Sequence, residues 1–188
     1  MNEVALYFFA AIVILAIVWM VIAFNALTML NNQCREAWSK VDAELKRRYD
    51  LIPNLVTVVT AYARPERETL ESVTRARDRA ISSTGSPASQ AQDENVLVVA
   101  LRQLFVVAER YPALKADGHF LKVQQELVDV EERIQEARRS YNANVRDFNT
   151  RLEAPLSNLI ARLSGFSPEV LFEIQEAGIH SAPPVDVS

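Results

Sequence analysis

Cysteine, glycine and histidine are scarce in this chain: 1 Cys, 4 Gly and 2 His among 188 residues. One cysteine excludes a disulfide scaffold and a four-cysteine zinc site. So few glycines nearly exclude the loops that cradle phosphates, and neither a Walker loop nor G-x-G-x-x-G occurs. G-x-S-x-G and H-E-x-x-H are also missing. The two histidines, His119 and His180, have no partner at metal-site spacing, and the Glu-x-x-His pairs of a di-iron bundle do not occur. A basic excess is lacking as well. Lys and Arg number 20 against 24 Asp and Glu, with a pI near 5.3, which argues against nucleic acid as a partner. The sequence therefore assigns no catalytic, cofactor-binding or metal-binding residue.

What is present is one long apolar run. Val4–Phe24 carries no charge and no polar amide or hydroxyl other than the Tyr7 phenol. A bilayer core needs about 20 such residues at about 1.5 Å each. Tyr7 lies near one end, and Trp19 and Phe24 near the other, where amphipathic rings favour the interface. A cleavable signal peptide would want a basic start, a shorter apolar stretch and a small-x-small site. The run instead opens on Met1-Asn2-Glu3 and has no such site after Phe24, so the expectation is an uncleaved single-pass membrane anchor. Arg35 and Lys40 follow it, and positive flanks favour a cytoplasmic domain.

Beyond residue 25 the apolar spacing is helical. Leu27, Leu30, Cys34, Trp38, Val41 and Leu45 step by three or four. Asp42→Lys46 and Glu44→Arg48 are acid-before-base pairs, and Lys46-Arg47-Arg48 suits a helix C-terminus. Asp50-Leu51-Ile52-Pro53 reads as a turn into a second helix, with a kink near Pro65. Ser82–Gln92 reads as a polar loop, and Asp93–Tyr111 as a third helix ended by Pro112. Asp117 caps a fourth, whose seam (Phe120, Val123, Leu127, Val130, Ile134, Ala137, Tyr141, Val145, Phe148 and Leu152) repeats every seven residues, as in coiled coils and bundles. Val170, Leu171, Phe172 and Ile174 suggest an amphipathic turn before a disordered end. The predicted fold is all-α: an N-terminal transmembrane helix continuing into a long antiparallel four-helix bundle. Residues 1–27 form the anchor, 28–160 the bundle and 161–188 a partly disordered tail.

Two features invite chemical readings. Cys34 could be a nucleophile, or a lipidation site if exposed, but on an apolar stripe it reads better as a small buried hydrophobe. Arg75, Arg77 and Arg79 spread around their helix and read as a solvated face.

Several stretches resemble the LemA family of bacterial membrane proteins. They are AWSKVDAELKRRYDLIPNLV (37–56), QLFVVAERYPALKA (103–116), ELVDVEERIQEARRSYNANVRDFNT (126–150) and SNLIARLSGF (157–166). The chain departs from the family pattern at Pro155-Leu156, where Phe-Pro is usual, and at Pro65. The resemblance implies a single span with a helical bundle, no established enzymatic activity, and links to envelope stress and to membrane metalloproteases of the HtpX type. One branch is associated with magnetosome membranes. The functional expectation is a non-enzymatic, membrane-anchored scaffold or adaptor that self-associates as a homo-oligomer. Its partners would be the lipid bilayer and, by resemblance, an HtpX-type protease. The alternative is a lipid-contacting or membrane-remodelling protein acting through Lys46–Arg48 and the apolar tail residues; an enzyme is a third, weaker reading.

Overall fold

A computed structural model describes residues 3–83 and 85–174. Among the described residues there is no strand. The elements are α1 (Glu3–Tyr62), a 3-10 turn (Arg64–Glu66), α2 (Arg67–Ser82), α3 (Pro87–Ala108), α4 (Pro112–Lys115), α5 (Gly118–Glu153) and α6 (Ser157–Ser164). The expected disordered end falls on 175–188, outside the described residues.

The apolar run and the first bundle helix are one continuous α1 of 60 residues, about 90 Å long. Described side chains from Leu6 to Ile22 are exposed, and burial begins at Ala23 and Leu27. A helix apolar on all sides whose neighbours do not cover it belongs in lipid. From Leu27 onward α1 buries one stripe, through Cys34, Val41, Leu45, Ile52, Leu55 and Val59 to Ala63.

The turn expected at Asp50–Pro53 does not exist, because α1 runs through Pro53. Proline lacks the N–H that would bond the carbonyl four residues back, here that of Tyr49, and so normally kinks a helix. Arg77 of α2 supplies the missing donor: its Nε lies 2.7 Å from the Tyr49 carbonyl oxygen. Arg77 is thus a partly buried clamp, not a solvated residue. The break comes instead at Ala63–Glu66, where Pro65 restricts the residue before it and the chain passes into a 3-10 turn.

The chain then runs back and forth. Arg77 meets Tyr49, Arg110 and Tyr111 reach Glu66, and Asn144 reaches the Gln33 carbonyl. These pairings set α1, α2, α3 and α5 antiparallel in chain order, the bundle predicted from the spacing. Helix α3 starts six residues earlier than expected. Ser86 accepts from the Ser89 N–H at 3.3 Å and Pro87 opens the first turn, a favourable start that outweighs the polar composition. Asp117 caps α5 as predicted, accepting from His119 and Phe120 N–H at 2.8 and 2.9 Å. The α5 seam is buried along its length, with Ala137 half-buried.

The Pro53–Arg77 compensation can be tested by unfolding the full-length protein in detergent. Arg77→Met should cost about 1–3 kcal/mol, because the Tyr49 carbonyl is left without a donor. In a Pro53→Ala background the helix ladder is restored, and the same substitution should cost clearly less. Equal costs in both backgrounds would refute the compensation.

Candidate functional site

Two constructions dominate the bundle beyond its apolar core. The first is a buried ionic cluster. Arg48 falls on the inward stripe of α1 and is fully buried. Its Nη1 donates to Glu131 Oε2 of α5 at 2.9 Å, and its Nη2 donates to Glu94 of α3. Glu94 also accepts from the Tyr49 hydroxyl and from Gln90 Nε2. Gln90 Nε2 in turn lies 3.1 Å from the Ala80 carbonyl of α2. The cluster therefore ties all four bundle helices. Burial opposes the Arg48 charge, but Glu94 and Glu131 outweigh it and hold the guanidinium above its ordinary pKa. The Lys46–Arg48 run is not a basic patch: Lys46 pairs with Asp42, Arg47 with Glu44, and Arg48 faces inward. The expected Glu44–Arg48 pair is replaced by Glu44–Arg47.

The second construction is a groove along α5, closed over by the chain's own residues 169–174. That segment is extended, not the helical turn its composition suggested. Asn149 and Glu169 exchange two hydrogen bonds, at 2.9 and 3.0 Å. Asn142 and Phe172 do the same, at 3.0 and 2.9 Å. Each amide thus satisfies one backbone N–H and one C=O, as a neighbouring strand would. Arg138 Nη1 donates to the Ile174 carbonyl at 2.5 Å, and the Tyr141 hydroxyl to that of Val170 at 2.8 Å. The register is geometric. Seven helical residues rise about 10.5 Å, and three extended residues span about 10 Å. A pair of Asn seven apart on a helix therefore matches backbone three apart on the strap.

The strap alternates as a strand does. Phe172 and Ile174 are buried and Glu173 is exposed. Phe172 meets the half-buried Trp38 edge-on with ring centroids 5.2 Å apart, and Tyr141 lies against the same indole at 5.2 Å. Of the apolar tail residues expected to touch lipid, Phe172 and Ile174 are in the core, Leu171 is half-buried and Val170 is exposed.

Cys34 is buried beside this groove. Burial first, then the carboxylates of Glu169 and Asp147, push its thiol up to about 11, so little thiolate forms near neutrality. His119 is an exposed residue of the first turn of α5, and His180 lies outside the described residues. Among the described residues no group of three His, Cys, Asp or Glu side chains is placed to hold a metal ion.

The sequence reading missed Arg48, Glu94, Glu131, Asn142 and Asn149. A signal existed for all but Glu131. Continuing the α1 stripe past Leu45 lands on Arg48 and then Ile52, and running the α3 stripe back from Leu97 lands on Glu94. Asn142, Asn144 and Asn149 are poor helix formers inside a long helix, a cost that signals side-chain bonding elsewhere.

Asn142→Leu should release the strap. Phe172 loses both partners, the cost is about 1–3 kcal/mol, and amide exchange and proteolysis at 169–174 should rise before global unfolding. Unchanged protection there would show that the amide ladder does not hold the segment. The cluster predicts an alkaline limit. Burial, then Glu94, raise the Tyr49 pKa well beyond the tyrosine range. A raised pKa keeps the folded state protonated, so this stabilisation is complete below about pH 10 and is lost as pH rises further. Urea stability should fall in that window, and Tyr49→Phe should flatten the fall; an identical slope would exclude Tyr49.

The LemA family model matches residues 37–187, from the first bundle turns through the strap. The chain is 24% identical over 152 residues to Protein LemA of Metamycoplasma hominis, covering 81% of this chain and 69% of that protein. It is 21% identical over 191 residues to the magnetosome proteins MamQ 1 and MamQ 2 of Paramagnetospirillum magneticum, covering 88% of this chain and 70% of each. With its exposed apolar helix leading into a strapped helical bundle, this chain is a membrane-associated protein that belongs to the LemA family.

Proposed function

We propose that the protein is a non-catalytic, membrane-tethered scaffold that self-associates through its helical domain. The observation that carries this reading is the outer face of α3. Val96, Val99 and Val106 are 43%, 43% and 65% exposed and sit at helical spacing on one side, while the opposite side buries Leu97, Leu101 and Leu104. A helix apolar on both faces calls for a second cover. Anchored copies share one plane and one orientation, which raises their effective concentration and favours another copy as that cover. The continuous α1 supports the reading too, since it couples any assembly of bundles directly to the anchors.

Placement of the bundle on the cytoplasmic side of the inner membrane, suggested by the exposed Arg35 and Lys40, belongs to the same proposal. So does a role in envelope stress or membrane-protein quality control, with an HtpX-type protease as client or partner; the family resemblance supports it. The similarity to magnetosome proteins supports the membrane-associated part of this reading.

The test is the size of the full-length protein in mild detergent. The native chain should form a homogeneous oligomer, and Val99→Glu with Val106→Glu should give a monomer of unchanged helicity. A monomeric native chain would refute self-association.

A further inference from the structure

The short helix α6 carries an apolar face that is exposed among the described residues. It follows the α5 terminus through Pro155 and Leu156, whose φ of 69° is left-handed, a conformation costly for a branched side chain. Gly165, at φ 74°, ends the helix and returns the chain toward the strap. Between these two reversals Ile160 and Ala161 are buried, whereas Leu156, Leu159 and Leu163 are 66%, 62% and 76% exposed. Leu159 and Leu163 lie at i and i+4, on one stripe of the helix, and Leu156 stands at the turn that opens it.

Position decides what meets this stripe. Ile160, Leu163 and Ser164 line a cleft of about 240 Å³ with Met20, Val21 and Phe24 of α1. Phe166, just after α6, lies against Phe24 with ring centroids 6.0 Å apart. Met20–Phe24 is the last turn of the apolar run, and about 20 residues are needed to cross the hydrocarbon. Most of the run is therefore committed to lipid, and its last turn lies at the boundary between acyl chains and headgroups. A helix packed at that level shares the boundary. Arg162 is exposed on α6 beside the leucines, and a long cationic side chain there reaches headgroup phosphates while its stem stays apolar.

We infer that α6 is an interfacial helix that inserts Leu156, Leu159 and Leu163 into the leaflet from which the bundle emerges. The occupant of the apolar face is the acyl-chain boundary of the bilayer, because the face is continuous with the span itself. It gives the domain a second membrane contact beside the anchor, which fixes its tilt and rotation. The inference rests on the span reading and is independent of self-association through α3. It also differs from lipid contact by the basic run, where Arg48 is buried and Lys46 and Arg47 are paired, and by the strap, where Phe172 and Ile174 are buried.

The experiment uses the full-length protein in vesicles of phosphatidylcholine and phosphatidylglycerol, with Cys34→Ala as background. An environment-sensitive fluorophore is attached at Leu159→Cys, Leu163→Cys, Met20→Cys or Lys122→Cys, one site at a time. Met20 marks the span, and Lys122 the far end of the bundle. Probes at 159 and 163 should emit at shorter wavelength than the one at 122. Lipids carrying a shallow nitroxide should quench them several-fold more than they quench the probe at 122, and aqueous iodide should quench them less. Iodide quenching equal to that at 122 would overturn the inference. Shielding from both quenchers would also overturn it, and would assign the face to a protein partner or a second copy. Loss of lipid quenching at 20 as well would show that the span reading had failed, not the placement of α6 alone.

Discussion

Arg48 is the residue on which the bundle turns. Its charge lies in a dry interior, where desolvation is expensive unless partners are close and well aligned. Glu94 and Glu131 come from two other helices, and Gln90 extends the contact to a fourth. A leucine stripe tolerates sliding and rotation, because apolar contacts are non-directional. A guanidinium between two carboxylates does not. The cluster thus selects one register among the many that the seams would allow, and breaking a buried pair of this kind costs about 3–5 kcal/mol. Register matters here because everything outside the core is aligned to it.

The strap depends on that alignment. Asn142 and Asn149 can pair with Phe172 and Glu169 only if α5 presents them over the groove floor formed with α1. Trp38 of α1 supplies the apolar surface that receives Phe172. The arrangement is a helix acting as one edge of a sheet: side-chain amides replace the partner strand, and the strap's buried backbone groups are satisfied without a second strand. It also explains why an apolar tail segment with no helical cap can be ordered. Its cost in chain entropy is offset by burial of two large side chains and by a ladder of directional bonds.

The same logic connects bundle and membrane. α1 carries no joint between span and core, so the orientation of the span constrains that of the bundle. The reversal at Leu156 and Gly165 brings the end of α5 back against the span, placing a second apolar surface at the level of Phe24. α6 and the apolar run are thus neighbouring apolar surfaces, tied to the bundle through the continuous α1.

Much of this frame was legible in the residues. The span follows from 21 apolar positions in a row, the α5 seam from its seven-residue repeat, the α5 cap from Asp117, and the break near residue 65 from its proline. These are local properties, set by chain geometry and by the partition of side chains between water and oil. Pro53 shows where local reading ends. Its sequence says turn, and only the presence of Arg77 from another helix makes it helix. Arg48 and the asparagines are the same case in polar form. A charge or amide on a helix is neutral evidence until its partner is known, and the partners lie 20 to 83 residues away along the chain. Periodicity alone therefore established that the chain beyond its span is helical, and where the buried seams of α1 and α5 lie. Tertiary structure decided where the first helix ends, which charges are buried and what the tail does, because each of those outcomes depends on a donor or acceptor supplied by a distant part of the chain.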